Sequence, residues 1–355
     1  MSIPALYGHE GIRHRLAGAI ASGRLPQALL FDGPRGVGKQ RLALWLAQAL
    51  VCEAGETAGE EGRGKGEPCG ECRHCRLVLR LSHPDVHWFV PLELAKKGAD
   101  ADKQVELVEE ALADAMAERR ERPLYEPSSG LAGHGIAAVR LLLRRVALTP
   151  ALARRKVFIV GDAERLVPQP GADAAANALL KALEEPPGDT VFVLTAAEPA
   201  ALPATIVSRV VRVRVARLAD SVVAAFAQRE LGVKGQRELK QRVTEADGCI
   251  GRLLAGEEPS AGGEAAAERF LAAVRGGAVA RYALALAQQP FQARGGFTAM
   301  LDGLLGQLRE QARTGRDTEQ VVEAIARVLE ARTFAQGNVN PQLVAAVLAE
   351  ELEAS

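Results

Sequence analysis

"LLFDGPRGVGKQRLALWLAQAL", residues 29–50, decides the fold. A short apolar run reads as a buried strand, a glycine turn follows, and the rest has the apolar period of a helix. Strand, glycine loop and helix in that order are what a phosphate cradle requires. Backbone N–H groups must point inward, glycines must permit unusual φ, a lysine must meet the β/γ charge, and a helix must start behind them. Gly33, Gly36, Gly38 and Lys39 supply all four parts. The alternative, a chance glycine turn, is argued against by the intact G-x₄-G-K and its flanks. The last place, where a small hydroxyl would hold Mg²⁺, is Gln40, whose amide is a poor substitute.

Outward from this stretch, Ile12, Leu16 and Ile20 mark a preceding helix, and "PDVHWFV" (84–90) reads as a second strand. From Ile136 the alternation continues: a helix in "IAAVRLLLRRVAL", a strand in "KVFIVGD", a helix in "AAANALLKALEE" ended by Pro186–Pro187, then strands in "TVFVLTA" and "VVRVRV". Strands alternating with helices imply a mainly parallel sheet covered on both faces. Beyond about Leu218 no strand pattern remains. Residues 219–256 form a short helical unit, "EEPSAGGE" (257–264) a linker, and the rest a helical region with stripes such as Leu301, Leu304, Leu305 and Leu308. Residues 93–135 interrupt the pattern: "KQVELVEEALADAMAERRER" reads as an exposed charged helix and "PLYEPSSGLAGHG" as a flexible connection.

A phosphate loop needs an acidic strand end as its second element, and "VFIVGDAERL" offers Asp162. The next place, where hydrolysing relatives of the fold carry a glutamate that orients water, is Ala163. Glu164 lies one residue further on, where a turn aims it elsewhere. One loss at the metal and one at the water point against hydrolysis and leave nucleotide binding open.

Four of the five cysteines lie between Cys52 and Cys75. Cys69, Cys72 and Cys75 follow Cys52 after a loop, in a C-x₂-C-x₂-C run that suits tetrahedral Zn²⁺, with iron–sulfur the lesser alternative. All four positions being filled makes the site structural, and His74 and His83 are not needed as ligands. Cys249 stands alone as a small buried residue. Ser208–Arg209 in "TIVSRV" reads either as ordinary surface or as an arginine reaching a γ-phosphate on another subunit. Thr195 and Arg252 are likewise ambiguous by themselves.

Lys plus Arg (44) equals Asp plus Glu (44), so no net field draws the chain to nucleic acid or membrane. Aromatics at 4% argue against a stacking platform for single strands. The first residues, MSIPALYGHEGIRHR, lack an apolar signal core, and no run of 18 apolar residues exists. A soluble cytoplasmic protein without a membrane span is the expectation, and it favours a metal site over disulfides.

Together "GHEGIRHRLAGAIASGRLPQALLFDGPRGVGK", the cysteine module running into "HPDV", "DAAANALLKALEEPP" and "TIVSR" resemble the clamp-loader branch of the AAA+ proteins. "NVNPQLVAAVLAEEL" looks like that branch's collar helices. The resemblance implies an α/β P-loop (AAA+ RecA-like) domain over 1–218 with a zinc-binding insert at about 52–84 and an extra insertion at about 93–135. An all-α lid over 219–256 and an all-α collar over 262–355 follow. It implies ATP or ADP as a ligand at Gly33, Gly36, Gly38, Lys39, Gln40, Asp162, Thr195 and Arg252, with Mg²⁺ poorly served, and structural Zn²⁺ on Cys52, Cys69, Cys72 and Cys75. Ser208 and Arg209 match the branch's Ser-Arg-Cys motif, with Val210 for its cysteine, and Arg209 would act in trans on a neighbour's nucleotide. The implied partners are the motor subunits γ or τ and δ in a heteropentamer, with the sliding clamp and primer-template DNA reached through it. Gln40 and Ala163 fit a non-hydrolysing subunit. A motor ATPase with a tolerated Gln40 and a zinc-dependent nucleic-acid-binding P-loop protein are the alternatives.

Overall fold

The computed structural model describes residues 3–55, 66–92, 100–124, 132–166, 173–254, 260–288, 296–313, 318–336 and 339–354. The chain forms two compact units that divide after Leu254.

The first unit is built on a parallel sheet of β1 (Ala28–Asp32), β2 (Val86–Phe89), β3 (Lys156–Val160), β4 (Thr190–Ala196) and β5 (Val211–Arg214), in the order β2-β3-β4-β1-β5. β1, β3 and β4 are buried at every position, which is why each reads as a continuous apolar run. The edge strand β5 is mostly exposed and carries Arg212 and Arg214, a pattern that discourages pairing with another edge. Helices α1 (Glu10–Ala21), α2 (Lys39–Val51), α3 (Arg73–Leu79), α4 (Ala101–Glu121), α5 (Ile136–Val146), α6 (Ala174–Glu184) and α7 (Ala204–Val207) complete this layer. Leu42, Leu46, Leu142, Leu179 and Ile206 pack with the strands into one core.

The charged helix expected within residues 93–135 is present as α4, largely exposed but with one buried stripe. Asp100 caps α4, its carboxylate accepting the N–H of Ala101 at 2.7 Å. Its buried residues are Val105, Leu112 and Arg119. They recur every seven residues, one buried position per two turns. That is too sparse to stand out among the charges, yet enough to seat α4 in the main core. Its outer face pairs with α5 through Arg145 and Glu109 (2.6 Å) and Arg144 and Asp102. Leu92 and Gly133 exchange backbone hydrogen bonds at 3.0 and 2.8 Å, so the insertion leaves and returns at one point. Residues 93–99 and 125–131, which include most of the expected flexible connection, lie outside the described residues.

Two buried charges stitch the sheet to its helices. Lys156 donates to the carbonyls of Val146 (2.7 Å) and Leu148, where α5 ends and carbonyls lack intrahelical partners. The Asp85 carboxylate accepts the N–H groups of Ala151, Leu152 and Ala153 at 2.6, 2.7 and 2.6 Å. Burial pushes Asp85 upward, but these three bonds outweigh it and hold the carboxyl below its usual range. A depressed folded pKa stabilises above the unfolded value, near 4, and the gain is lost as pH falls through the folded value. Asp85→Asn is therefore expected to cost about 2 kcal/mol or more at pH 7. The gap from the unmodified chain should narrow at pH 3, as read by urea unfolding at both pH values.

After β5 come α8 (Asp220–Glu230), α9 (Gln236–Ala246) and a 3₁₀ turn at Ile250–Leu253, gathered around Leu218, Val223 and Ala246. The second unit contains α10 (Ser260–Arg275), α11 (Ala278–Leu286), α12 (Gly296–Arg313), α13 (Thr318–Gln336) and α14 (Pro341–Ala354). Its separate core includes Phe270, Leu301, Leu304, Val328 and Leu348. No described helix is long and apolar enough to cross a membrane.

Candidate functional site

β1 lies between β4 and β5, while the chain leaving it next enters the sheet at the far edge as β2. Ligands of open α/β sheets sit at such a reversal, outside the carboxyl ends of the strands. The glycine loop occupies that position, and the ends of β3 and β4 add Asp162 and Thr195 on the same side. Gly36 and Gly38 have φ of 77° and 101°, open to glycine and costly for other residues. The Lys39 ammonium folds back onto the loop, donating to the carbonyls of Gly33 and Pro34 at 2.8 Å each. Burial lowers its pKa, opposed by the nearby charges of Asp162 and Glu164. Thr195 is fully buried, and its hydroxyl accepts the N–H of Asp162 at 3.0 Å, fixing the turn that carries this carboxylate.

Gln40, at the place of the usual hydroxyl, turns its amide toward the end of β3. The end of the Gln40 side chain packs against Gly161, where a Cβ would meet its three terminal atoms at 3.0 Å each. Its Oε1 is buried and has no hydrogen-bond partner among the described residues. Ala163 is fully buried. Glu164 turns to the end of β4, where Oε1 accepts the N–H of Ala197 at 3.0 Å. Burial and then Asp162 raise its pKa, and Oε2 has no partner among the described residues. Asp32 is held by Arg212 at 3.0 Å. Octahedral Mg²⁺ keeps several waters and takes only one or two protein oxygens beside the phosphates. Asp162 is the one carboxylate among the described residues lining the cavity beside the loop, and the hydroxyl place next to the lysine is Gln40.

That cavity, of about 160 Å³, is walled on its apolar side by Leu6, Tyr7, Leu218, Phe226, Ile250 and Leu254. Tyr7 and Phe226 meet edge to face with centroids 5.2 Å apart. The 3₁₀ turn closes on the loop: Gly251 donates its N–H to the Gly36 carbonyl at 2.8 Å. A Cβ on Gly251 would stand 2.5 Å from the Gly36 Cα. Arg252 instead turns to Asp247 at 3.3 Å.

The structure thus gathers Gly33, Gly36, Gly38, Lys39, Gln40, Asp162 and Thr195, and it brings the Gly251–Arg252 backbone against the loop while the Arg252 side chain turns to Asp247. Ser208 and Arg209 belong to another place, between α7 and β5. Arg209 donates to the Thr205 carbonyl at 2.9 Å and pairs with Glu184 at 3.3 Å, while the Ser208 hydroxyl donates to the same carbonyl at 3.1 Å. Sequence reasoning missed Arg119, which lines the cavity from α4. Its only sequence signal is the spacing of seven from Leu112.

The thiols of Cys52, Cys69, Cys72 and Cys75 all lie within 4.8 Å of one another. Cys69 to Cys75 and Cys72 to Cys52 span 3.9 and 4.0 Å between sulfurs. Tetrahedral zinc with Zn–S of about 2.3 Å sets sulfurs about 3.8 Å apart, so the cluster could hold this ion. Backbone N–H groups of Cys69, Cys72 and Cys75 point at Cys52, Cys69 and Cys72 sulfurs at 3.3, 3.2 and 3.4 Å, as thiolates require. The hydrogen bond with the Cys75 thiol is the main cause that brings Cys52 down to about 4, and Cys75 rises in return. His74 and His83 face each other instead of the cluster, Nδ1 to Nε2 at 2.8 Å. The Asp85 N–H occupies His83 Nδ1 at 3.1 Å, so His83 Nε2 carries the proton given to His74, whose Nε2–H meets Glu53 at 3.1 Å. This directed chain ties the thiol module to β2.

Fold and loop define a parallel α/β protein with a glycine loop at the switch point of its sheet. The family model described as "DNA polymerase III, delta subunit" matches residues 8–219, and the chain belongs to that family. It is 30% identical over 194 residues to the DNA polymerase III subunit delta' of Bacillus subtilis and 32% over 195 to that of Yersinia pestis. Each alignment covers 55% of this chain and 43% of the relative. It is 32% identical over 202 residues to the DNA polymerase III subunit tau of Salmonella typhimurium, covering 57% of this chain and 23% of that protein. The chain thus matches less than half the length of these relatives. A DNA polymerase III, gamma subunit-related structure from Thermotoga maritima superposes over 97% of this chain and 98% of its own at TM-score 0.41 and 15% identity.

Proposed function

We propose that this chain is a δ′-like subunit of the bacterial DNA polymerase III clamp loader. It helps load the sliding clamp on primed DNA without hydrolysing ATP itself. Residues 1–218 serve as the AAA+ module, 219–256 as its lid, and 262–355 as the collar that joins γ or τ motor subunits and δ in a cytoplasmic heteropentamer. Ser208 and Arg209 complete the ATP site of a neighbouring motor subunit. The observation that carries this reading is Gln40, in place of the usual hydroxyl, packed on Gly161, with a buried Ala163 where hydrolysing relatives of the fold carry a glutamate.

A second reading, a γ/τ-like motor ATPase, draws support from the tau relative, whose identity equals that of the Yersinia pestis delta'. ATP turnover separates the two. The purified chain is expected to release no phosphate from ATP alone, and mixing it with motor subunits, δ, clamp and primed DNA should give turnover. Hydrolysis by the isolated chain that is lost in Lys39→Ala would hand the case to the motor reading. Salt-dependent DNA binding by the isolated chain would instead favour a nucleic-acid-binding module.

A further inference from the structure

An arginine that reaches a neighbour's site has to stand clear of its own chain, and Arg209 does not. Only 30% of its side chain is exposed. One terminal nitrogen donates to the Thr205 carbonyl at 2.9 Å and the other pairs with Glu184 at 3.3 Å. Its Nε is buried and has no hydrogen-bond partner among the described residues. The guanidinium thus lies in a dock built by two elements. α7 spans only four residues, and as it ends the Thr205 carbonyl is left to side chains, which Ser208 and Arg209 share.

The charge of the dock comes from α6. Glu184 is the last residue of that helix, and Glu185 follows as its cap. A helix C-terminus carries partial negative charge, so carboxylates placed there cost stability instead of adding to it. Two of them at one helix end make a negative spot that suits a cation from elsewhere in the chain, and Arg209 is the cation that Glu184 holds.

We propose that Glu184 is a positioning residue that keeps Arg209 docked on its own chain until the phosphates of a nucleotide on the neighbouring subunit draw it off. The inference rests on the proposed action of Arg209 in trans and adds a counterweight that sets how readily the arginine engages. Phosphate oxygens offer the guanidinium fork paired acceptors and more charge than one carboxylate, so transfer is favourable once a nucleotide is in reach. The ion pair is half-exposed, which keeps its hold small, about two- to fivefold in the docked population.

ATP turnover by the assembled clamp loader, with motor subunits, δ, clamp and primed DNA, tests it. Glu184→Gln keeps the shape and removes the charge, and with 56% of the side chain exposed the fold should tolerate it. Its kcat/KM for ATP is expected to rise about two- to fivefold over the unmodified complex. A pair that merely stabilised the chain would give no such rise. In an Arg209→Ala background the same substitution should change nothing, because Glu184 acts only through that side chain. Unchanged or lowered kcat/KM in an assembled Glu184→Gln complex would overturn the proposal, the lowered value meaning that Glu184 aims the guanidinium. A gain that persists without Arg209 would overturn it too. None of these results touches the trans role of Arg209, which falls only if Arg209→Ala alone leaves turnover undiminished, and this inference would fall with it.

Discussion

Arg209→Ala is expected to lower DNA-stimulated ATP turnover of the assembled clamp loader by about 10³-fold or more, the order lost when an arginine finger is withdrawn from a phosphoryl-transfer site. The chain's own folding should be little affected. Arg209 is held by the Thr205 carbonyl and by a half-exposed Glu184, so its loss strands no buried charge. The same two contacts fold the guanidinium back against the end of α7, and a neighbouring phosphate would have to compete with the Thr205 carbonyl and an exposed carboxylate. Assembly measured by size-exclusion chromatography should match the unmodified complex. A normally assembled complex with undiminished turnover would remove Arg209 from the mechanism.

Removing an ion held by the four thiols should have the largest effect on stability. Structural zinc in small modules contributes about 10–16 kcal/mol of apparent binding energy, against about 5–15 kcal/mol for the whole stability of a typical domain. The module has little core of its own: Cys75 and Val78 are its buried apolar contribution from α3, beside Cys52 at the end of α2. Elemental analysis is expected to find about one zinc per chain. Chelation, or Cys69→Ser, should make the segment between Cys52 and Cys75 sensitive to protease and lower the melting temperature. A fully stripped chain that melts and resists protease as before would mean the four thiols pack without an ion.

Much of the sheet was legible because burial on both faces leaves its strands no polar positions, and Leu29–Phe31 and Val191–Leu194 announce themselves as runs. The cysteine cluster was legible for a different reason, since two-residue spacing around a tight turn constrains where sulfurs can go. The edge strand β5 was readable from alternation, but strand order was not, because nothing local in β2 says that it pairs with β3. α4 is the charged, largely exposed helix expected, but its one buried stripe was not legible. Its heptad-spaced contacts, Val105, Leu112 and Arg119, are diluted among charges, and one of them is itself a charge. Burial of Arg119 depends on Trp88, 31 positions earlier, and no local pattern carries that information. The fate of Glu164 was half legible. Its displacement by one residue was plain, while its capture by the Ala197 N–H depends on where β4 ends.

The meeting of Gly36 and Gly251 also bears on how this sequence can change. Each glycine leaves no space for a methyl group on the other, and their backbones share a hydrogen bond. No single substitution at either position keeps the contact, and a second at its partner only adds volume. Loop and turn are therefore locked into one neutral path through sequence space. A lineage that filled either position would have to give up the closed geometry before it could repair it.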